Sequence, residues 1–541
     1  ELARIWAEVL GLERVGVHDN FFELGGDSIL SIQIVARARE AGLGLTPLQI
    51  FERQTVAELA SIAGPAPQAD PGLVTGEVPL TPVQRWFFEQ ELETPNQFAQ
   101  AVLLTLDQPL GQRLEEAVSR LVSHHDALRL RFRKVGPTWR QNYAEPEGSA
   151  ACSHHRLRGQ AELTKLTAVL QGGLNIEHGP LLQAAEIELA DGRRRLFLAA
   201  HHLVVDGVSW RILLDDLAAC LRQTSSAVGL DLPGKTTSYK RWAEGLLKLA
   251  KRRDLEPELS FWLDQGRPLP LPLKPTGGNT VGDADTVEVT LSPEETRTLL
   301  RKAPIASRTQ VEELLVAAMA YAISAWTGQP EVWIQMEGHG REALMQDMDL
   351  SRTVGWFTAL YPLRLQIETG PAGALRATQA ALRQVPNRGA GYGVLRYLEP
   401  RGEIRRALGA PAPDVAFNYL GQLDTSSSSP WRLAPELMAR GRDQRQLRGS
   451  ALNVDASVRE GRLRVGWTYG RNLLQTATVE GLVQSFLHGL RELIADDASG
   501  AEIEYSPVDF PLADLGQDEL QEIIRQVLPT AGAVQTLREK K

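Results

Sequence analysis

Hydrophobic positions at the start of the chain recur with helical spacing. Leu2, Ile5, Trp6, Val9 and Leu10 fall on one face, and Gly11 follows where a helix would be capped. A loop from Val15 to Gly26 leads to a second helix that starts near Asp27-Ser28, turns Ile29, Ile32 and Ala36 to one side and stops at Gly42. Thr55 and Glu58 have capping-box spacing and predict a short last helix through Ile62. The stretch Gly64-Pro65-Ala66-Pro67-Gln68-Ala69-Asp70-Pro71-Gly72 cannot continue a helix and predicts a linker. From Pro79 onward the pattern mixes strands and helices broken by Pro and Gly, with no internal repeat. Leu196 to Ala200 reads as a buried strand, Leu213, Leu214 and Leu217 as a helix, and Glu331 to Met336 as an alternating strand. The longest apolar run, Leu314 to Trp326, is too short to cross a bilayer, and no secretory signal opens the chain.

At roughly 150 residues per domain, 541 residues predict three or four compact units. With 43% hydrophobic and 23% charged residues the chain has ample material for large cores. Two cysteines, Cys152 and Cys220, can build neither a disulfide framework nor a thiolate cluster, which suits a reducing cytoplasm. A net charge of -9 argues against nucleic acid as a partner. That charge is uneven: residues 1–64 carry nine acids against five arginines, so the first segment is a small acidic unit whose partners should offer positive patches. The chain begins at Glu1, already inside an amphipathic pattern, and is expected to be cut from something longer.

Chemistry begins at the junction Asp19-Asn20-Phe21-Phe22-Glu23-Leu24-Gly25-Gly26-Asp27-Ser28. Two glycines precede a serine in the first turn of a helix, whose positive end favours an attached anion. The same residues also read as an N-cap serine behind a flexible turn. No histidine or acid is arranged to activate the hydroxyl, so modification by another enzyme suits it better than catalysis. The stretch Val15 to Ser28 resembles the carrier-domain core of nonribosomal peptide synthetases, and the resemblance covers residues 1–64. It implies a small all-α four-helix bundle with Ser28 as the attachment point of 4'-phosphopantetheine, whose thiol holds an amino acid or peptide as a thioester. Asp27 stands where most carriers have His, a form typical of carriers just upstream of epimerization domains.

Three His-His pairs follow. His124-His125 sits where a helix passes into a strand and suggests a structural role; His154-His155 reads as surface loop. His201-His202 closes the buried strand and is followed by Leu203-Val204-Val205-Asp206-Gly207-Val208-Ser209-Trp210. A histidine there can be held facing a cleft, and its imidazole titrates near neutrality, as a general base should. His202 and Asp206, four apart, leave a metal reading, although no further ligand lies at metal-site spacing. The segment matches HHxxxDG of the condensation-domain superfamily, which includes epimerization domains and chloramphenicol-acetyltransferase-like enzymes. The resemblance implies a catalytic His202 facing the reaction tunnel, with His201, Asp206, Gly207 and Trp210 shaping the site. It also implies an arginine partner for Asp206, for which Arg129 and Arg131 are candidates.

HHxxxDG does not separate peptide-bond formation from epimerization. Glu337-Gly338-His339-Gly340-Arg341-Glu342, at a strand end where glycines allow a sharp turn, reads on its own as a solvated loop acid. EGHGRE is, however, a hallmark of epimerization domains. It is accompanied by Leu80 to Phe87, Asp349 to Thr358, Gly391 to Tyr397 and Phe417-Asn418-Tyr419-Leu420-Gly421-Gln422, in family order across about residues 79 to 515. The resemblance implies an α+β multidomain chain: a carrier (1–64), a linker (65–78), and a two-lobed α/β domain of the chloramphenicol-acetyltransferase type. Its lobes are expected at 79–265 and 266–525, with a tail at 526–541. Gly389 to Gly393 lacks the third glycine of a dinucleotide fingerprint, and no P-loop exists.

Inverting an α-carbon means removing its proton from one face and returning one to the other. A thioester helps, because the carbanion spreads onto its carbonyl. The protein must supply acid and base on opposite sides and donors for the oxygen. The resemblance assigns these roles to His202 and Glu337, with Tyr419 and Asn418 assisting, and leaves one-base and two-base schemes both open. No pyridoxal-phosphate lysine context, metal cluster or flavin motif is apparent, so isomerisation without metal or PLP is expected, with the arm on Ser28 as tether. A modest, polar interface between carrier and epimerase is expected. Expected partners are an upstream adenylation domain, a phosphopantetheinyl transferase, a downstream condensation domain and the aminoacyl or peptidyl thioester; neither nucleic acid nor membrane is expected. The rival readings are a condensation-type transferase, against which EGHGRE and GGDS count, and a non-catalytic docking module. The amphipathic stretch Leu520 to Val527 and the polar end after it read as a frayed terminus, with a docking segment for a downstream synthetase as the alternative.

Overall fold

The computed structural model describes residues 1–66, 72–145, 151–223, 232–303, 309–345, 347–423, 431–439 and 441–496. The centre of the predicted linker, the serine run near Ser426 and the tail lie outside the described residues. In the small N-terminal domain, apolar periodicity produces α1 (Leu2–Leu10), α2 (Ser28–Glu40), α3 (Pro47–Glu52) and α4 (Val56–Ile62). Capping boxes start α3 at Thr46 and α4 at Thr55. Strand β1 (Leu43–Gly44) pairs with β2 (Gly64–Pro65), so the first linker residues fold back onto the bundle. Trp6 and Phe21 are fully buried at its centre, edge-on with ring centroids 5.2 Å apart.

Helix α2 has two apolar faces. Leu30, Ile34, Val35 and Ala38 fill the bundle core. Ile29 and Ile32, the face read from the sequence, point out of the bundle into the large domain, whose core buries Ile32 completely.

The first lobe of the large domain runs β3 (Glu77–Val78), α5 (Pro82–Glu89), β4 (Ala99–Leu106), α6 (Gln112–His124), β5 (Leu130–Val135), β6 (Thr138–Tyr143), β7 (Ala151–Leu157), α7 (Gln160–Gly172), β8 (Leu182–Leu189), β9 (Arg194–His201) and α8 (Gly207–Arg222). Its main sheet has the order β4-β9-β8-β7, antiparallel except for β7 against β8. Strands β8 and β9 are buried on both faces, which accounts for the apolar run Leu196 to Ala200 in β9. His154-His155 lies in edge strand β7 and not in a surface loop: β7 is half exposed, and its polar alternation hides the strand from a hydrophobicity reading. His154 Nδ1 lies 3.3 Å from Glu186.

Helices α9 (Tyr239–Arg252) and α10 (Glu256–Asp264) lead into the second lobe, which contains β10 (Ala284–Thr290), α11 (Val311–Thr327), β11 (Glu331–Gly338), β12 (Ala359–Gln366), α12 (Gly370–Gln384), α13 (Ala390–Tyr397), β13 (Val415–Gln422), β14 (Leu452–Arg459), β15 (Arg462–Gly470) and α14 (Thr476–Asp496). Its six-stranded sheet has the order β10-β15-β14-β13-β11-β12, with β11, β13 and β14 mutually parallel. Helix α11, which contains the long apolar run, is buried on nearly all sides and belongs to this core.

Between β13 and β14 the chain leaves the second lobe and lies along β4 of the first. Thr105 N donates to Arg432 O, Ala434 N to Leu103 O and Ala99 N to Gly441 O, each at 2.8 Å. This strap covers the open edge of the first sheet. Buried Arg195 fastens it with two bonds to Glu436, at 2.8 and 2.6 Å.

The small domain rests across both lobes. Arg39 pairs with Asp349, Glu40 with Arg352 at 2.8 Å, Gln422 Nε2 donates to Gly25 O at 3.1 Å, and the Arg388 guanidinium lies 3.8 Å over the Phe51 ring. Arg352 also pairs with buried Asp216, which accepts from His125 Nε2 at 2.9 Å. The interface is thus not only polar, as expected from the sequence: an apolar centre around Ile32 is rimmed by ion pairs. Arg39→Glu places like charges opposite Asp349 without touching either core, and is expected to lower the docked population roughly tenfold. Small-angle scattering that showed an unchanged docked form would refute this.

Candidate active site

Strand β9 ends in His201 and delivers His202 to a one-turn helix. His201 is fully buried, donating from Nε2 to Pro95 O at 2.8 Å and accepting from Leu203 N at 3.2 Å, so both its nitrogens are committed to the backbone. His202 turns the other way. Its Nδ1 lies 2.8 Å from Val205 O and its Nε2 lies 2.8 Å from Gln100 Nε2 on β4. Trp356 packs 4.4 Å from the ring. Burial pushes the His202 imidazole down to about 4, and the charge of Arg442 adds to this.

Asp206 N-caps α8, accepting from Ser209 N at 2.7 Å, and its other oxygen accepts from Phe357 N at 3.1 Å. Its cationic partner is Arg341, whose Nη2 reaches both carboxylate oxygens at 3.1 and 3.3 Å. This corrects the two arginines proposed from the sequence: Arg129 is held by Asp126 at 2.6 Å, and Arg131 by the backbone of Leu130. Arg341 also donates to Leu350 O, Thr353 O and Ser209 Oγ, and it stacks 3.9 Å over Phe357. Gly340 precedes it at φ 67, and a Cβ there would collide with the Phe357 carbonyl. Asp206 is fully committed to this clamp, and both His202 nitrogens are engaged, so the two do not form a metal pair. Among the described residues, the one group of three potential metal ligands is His124, His125 and Asp216, where Asp216 is already shared by His125 and Arg352.

Glu337 stands near the end of β11, in register with Asn418 on parallel strand β13. Asn418 Nδ2 donates to Glu337 Oε2 at 3.1 Å. Burial, with Asp455 nearby, pushes the Glu337 carboxyl up to about 7 against the pull of Arg442. Arg442 comes from the strap, bridges to Phe98 and lies 4.3 Å over its ring. It is therefore the cation felt by both His202 and Glu337. Arg442 and Asp455 are exposed to solvent, and His202, Glu337 and Asn418 are half-buried. Solvent therefore reaches these side chains, and Arg442 links His202 and Glu337 electrostatically.

Tyr419, the next residue on β13, alternates to the opposite side from Asn418. Its hydroxyl has no hydrogen bond, and its charged neighbours are Asp27, Glu312 and Arg211, not Glu337. Here β13 meets the small domain. Gly421 has φ 69, and a Cβ there would lie 3.1 Å from Asp27 Oδ2, which is buried without a hydrogen bond and attracted by Arg211. Asp27 Oδ1 caps α2 through Ile29 N and Leu30 N, making Ser28 the first helical residue and not the cap. Ser28 is half exposed beside this contact. A helix N-terminus with Arg211 close by fits a phosphate ester on its hydroxyl.

Sequence reasoning missed Gln100, Arg442 and the Arg341 pairing. A lone polar residue in the apolar run after Phe98 was a usable signal for Gln100; nothing local marks Arg442.

Comparison with known proteins agrees with this architecture. Residues 1–62 match the family described as phosphopantetheine attachment site, and residues 74–506 match the condensation domain. Part of the linear gramicidin synthase of Brevibacillus parabrevis is 42% identical over 97% of this chain, which spans 7% of that protein. Surfactin synthase subunit 2 of Bacillus subtilis (strain 168) is 36% identical over 96% of the chain, which spans 15% of its length. The crystal structure of the epimerization domain from the third module of tyrocidine synthetase B aligns with a TM-score of 0.76 and 30% identity, over 81% of this chain and all of that one. The chain belongs to the condensation-domain family and carries a phosphopantetheine-attachment domain ahead of that domain, the pairing of a nonribosomal peptide synthetase.

Proposed function

We propose that the chain epimerizes, from L to D, the α-carbon of an aminoacyl or peptidyl group held as a thioester on Ser28. The observation that carries this reading is the pair under the shared influence of Arg442: a neutral imidazole from one lobe and a carboxyl raised to about 7 from the other. The tether, phosphopantetheine, presents the substrate as a thioester with an acidified α-proton. In the L-to-D direction, His202 takes the α-proton and protonated Glu337 returns one to the opposite face. Asn418 orients the carboxyl. Arg442 supplies positive charge for the negative charge that develops on the substrate carbonyl oxygen. His201, Asp206, Gly207 and Trp210 hold the loop that carries the base.

In this reading Tyr419 serves the contact with the small domain and not proton transfer, since its charged neighbours include Asp27 and Arg211. The likeness to an epimerization domain at 30% identity supports the same choice. A phosphopantetheinyl transferase to load Ser28, an adenylation domain to charge it and a condensation domain to accept the product complete the expected partners.

Incubating the loaded protein in heavy water is expected to place deuterium on the α-carbon without peptide-bond formation. Peptide bonds in the absence of α-deuterium would instead identify a condensation catalyst. His202→Ala and Glu337→Ala are each expected to slow the appearance of D-product by roughly 10²- to 10⁴-fold. Chiral analysis giving native rates for both variants would remove them from the mechanism.

The active pair carries one proton. Protonating His202 below pH about 4 removes the base, and ionising Glu337 above pH about 7 removes the acid. The rate is therefore expected to be flat between these limits and to fall roughly tenfold per pH unit above 7. A rate still rising from pH 7 to 9 would contradict the assignment.

A further inference from the structure

A general base must present a lone pair, and three hydrogen bonds determine which His202 nitrogen does so. The indole Nε1–H of Trp210 lies 2.9 Å from Gln100 Oε1. An indole nitrogen only donates, so the oxygen end of the Gln100 amide faces Trp210. The NH2 end then faces His202 Nε2 at 2.8 Å and must donate to it. On the other side of the ring, Val205 O only accepts, so Nδ1 carries the hydrogen across 2.8 Å. Each bond leaves the next a single choice. The ring is neutral, its hydrogen is on Nδ1 and its lone pair is on Nε2. An imidazolium would set an N–H of His202 against an N–H of Gln100.

Gln100 is placed for this by the register of the first sheet. It pairs with Ala200 across β4 and β9, so His202 is its diagonal neighbour two residues on. The strap runs beside β4 at this point, with Gly441 bonded to Ala99 and Arg442 bridged to Phe98. The charged and titratable groups acting on the imidazole are Arg442 from the strap, Asp206 with its partner Arg341 from behind the loop, and the preceding His201. Burial and Arg442 oppose protonation and Asp206 favours it, and the direct donor at Nε2 adds to burial in holding the ring neutral.

We infer that Gln100 is a positioning residue for His202: with Trp210 it fixes Nε2 as the basic nitrogen, and it occupies the space before that lone pair until the substrate α-carbon takes its place. This deepens the epimerase reading and rests on it, because it supposes that His202 Nε2 receives the α-proton. The step balances simply. The Cα–H bond breaks, its electron pair moves to the substrate carbonyl, the proton goes to Nε2, and the amide N–H of Gln100 is released.

Gln100→Glu preserves the shape and the acceptor for Trp210 but replaces the donor at Nε2 with a second acceptor, reversing the preference for the neutral ring. The test is nitrogen-15 NMR of the histidine rings in the full chain, with His202→Ala identifying the His202 signals, alongside the pH profile of α-deuterium incorporation. In the native protein His202 is expected to stay neutral from pH 5 to 8 with Nε2 unprotonated. In Gln100→Glu its titration midpoint should rise by roughly two pH units, and the acid limb of the profile should rise with it. Trp210→Phe removes only the indole donor and frees the amide to flip, so it should raise the midpoint by a smaller amount. Midpoints within about half a unit of native in both folded variants overturn the inference. Native protein that incorporates no deuterium, while Gln100→Glu still shifts the His202 midpoint, would leave the relay standing and remove the epimerase reading.

Discussion

The buried ion pair between Asp206 and Arg341 is the contact on which the arrangement of the site depends. It joins the first turn of α8 to the segment following β11, and each partner has additional bonds that leave it no other use. Arg341 is almost wholly inaccessible to water. Removing one member of such a pair strands a charge, at about 3–5 kcal/mol, a large share of the roughly 5–15 kcal/mol that holds a typical domain together. The pair also determines geometry. His202 and Glu337 lie only a few residues from Asp206 and Arg341, so tying these two together fixes the ends of β9 and β11 that carry them.

Electrostatics then divides the labour. Desolvation acts on both titrating groups, but it favours the neutral form of each, and so moves the imidazole down and the carboxyl up. The result is a pair sharing one proton across a wide pH interval. Arg442 tempers the carboxyl and reinforces the neutral imidazole. One cation thereby narrows the window from above and extends it from below.

Much of the fold was legible in the chain itself because local signals and tertiary structure agree. The capping box at Thr55, the glycine after α1 and the buried run into His201 are decided within a few residues of sequence. The carrier and condensation-type architecture followed from motifs that recur in order. What stayed hidden depends on distant parts of the chain meeting. The choice of Arg341 over Arg129 is made by packing between lobes, and Arg442 arrives on a strap that bonds to β4 without forming a regular strand of its own. The apolar face of α2 shows the same limit: Ile29 and Ile32 could be seen to share a face, but not that the face belongs to a neighbour. A strand that is polar by alternation, like β7, does not announce itself either.

The strap has a mechanical consequence. Because it is hydrogen-bonded along β4 while rooted at both ends in the second lobe, prying the lobes apart would mean unzipping backbone bonds and withdrawing Arg442 from the charges it balances. Separation of the two lobes is therefore resisted by the strap, which holds the side chains of β9 and β11 in a fixed relation to each other.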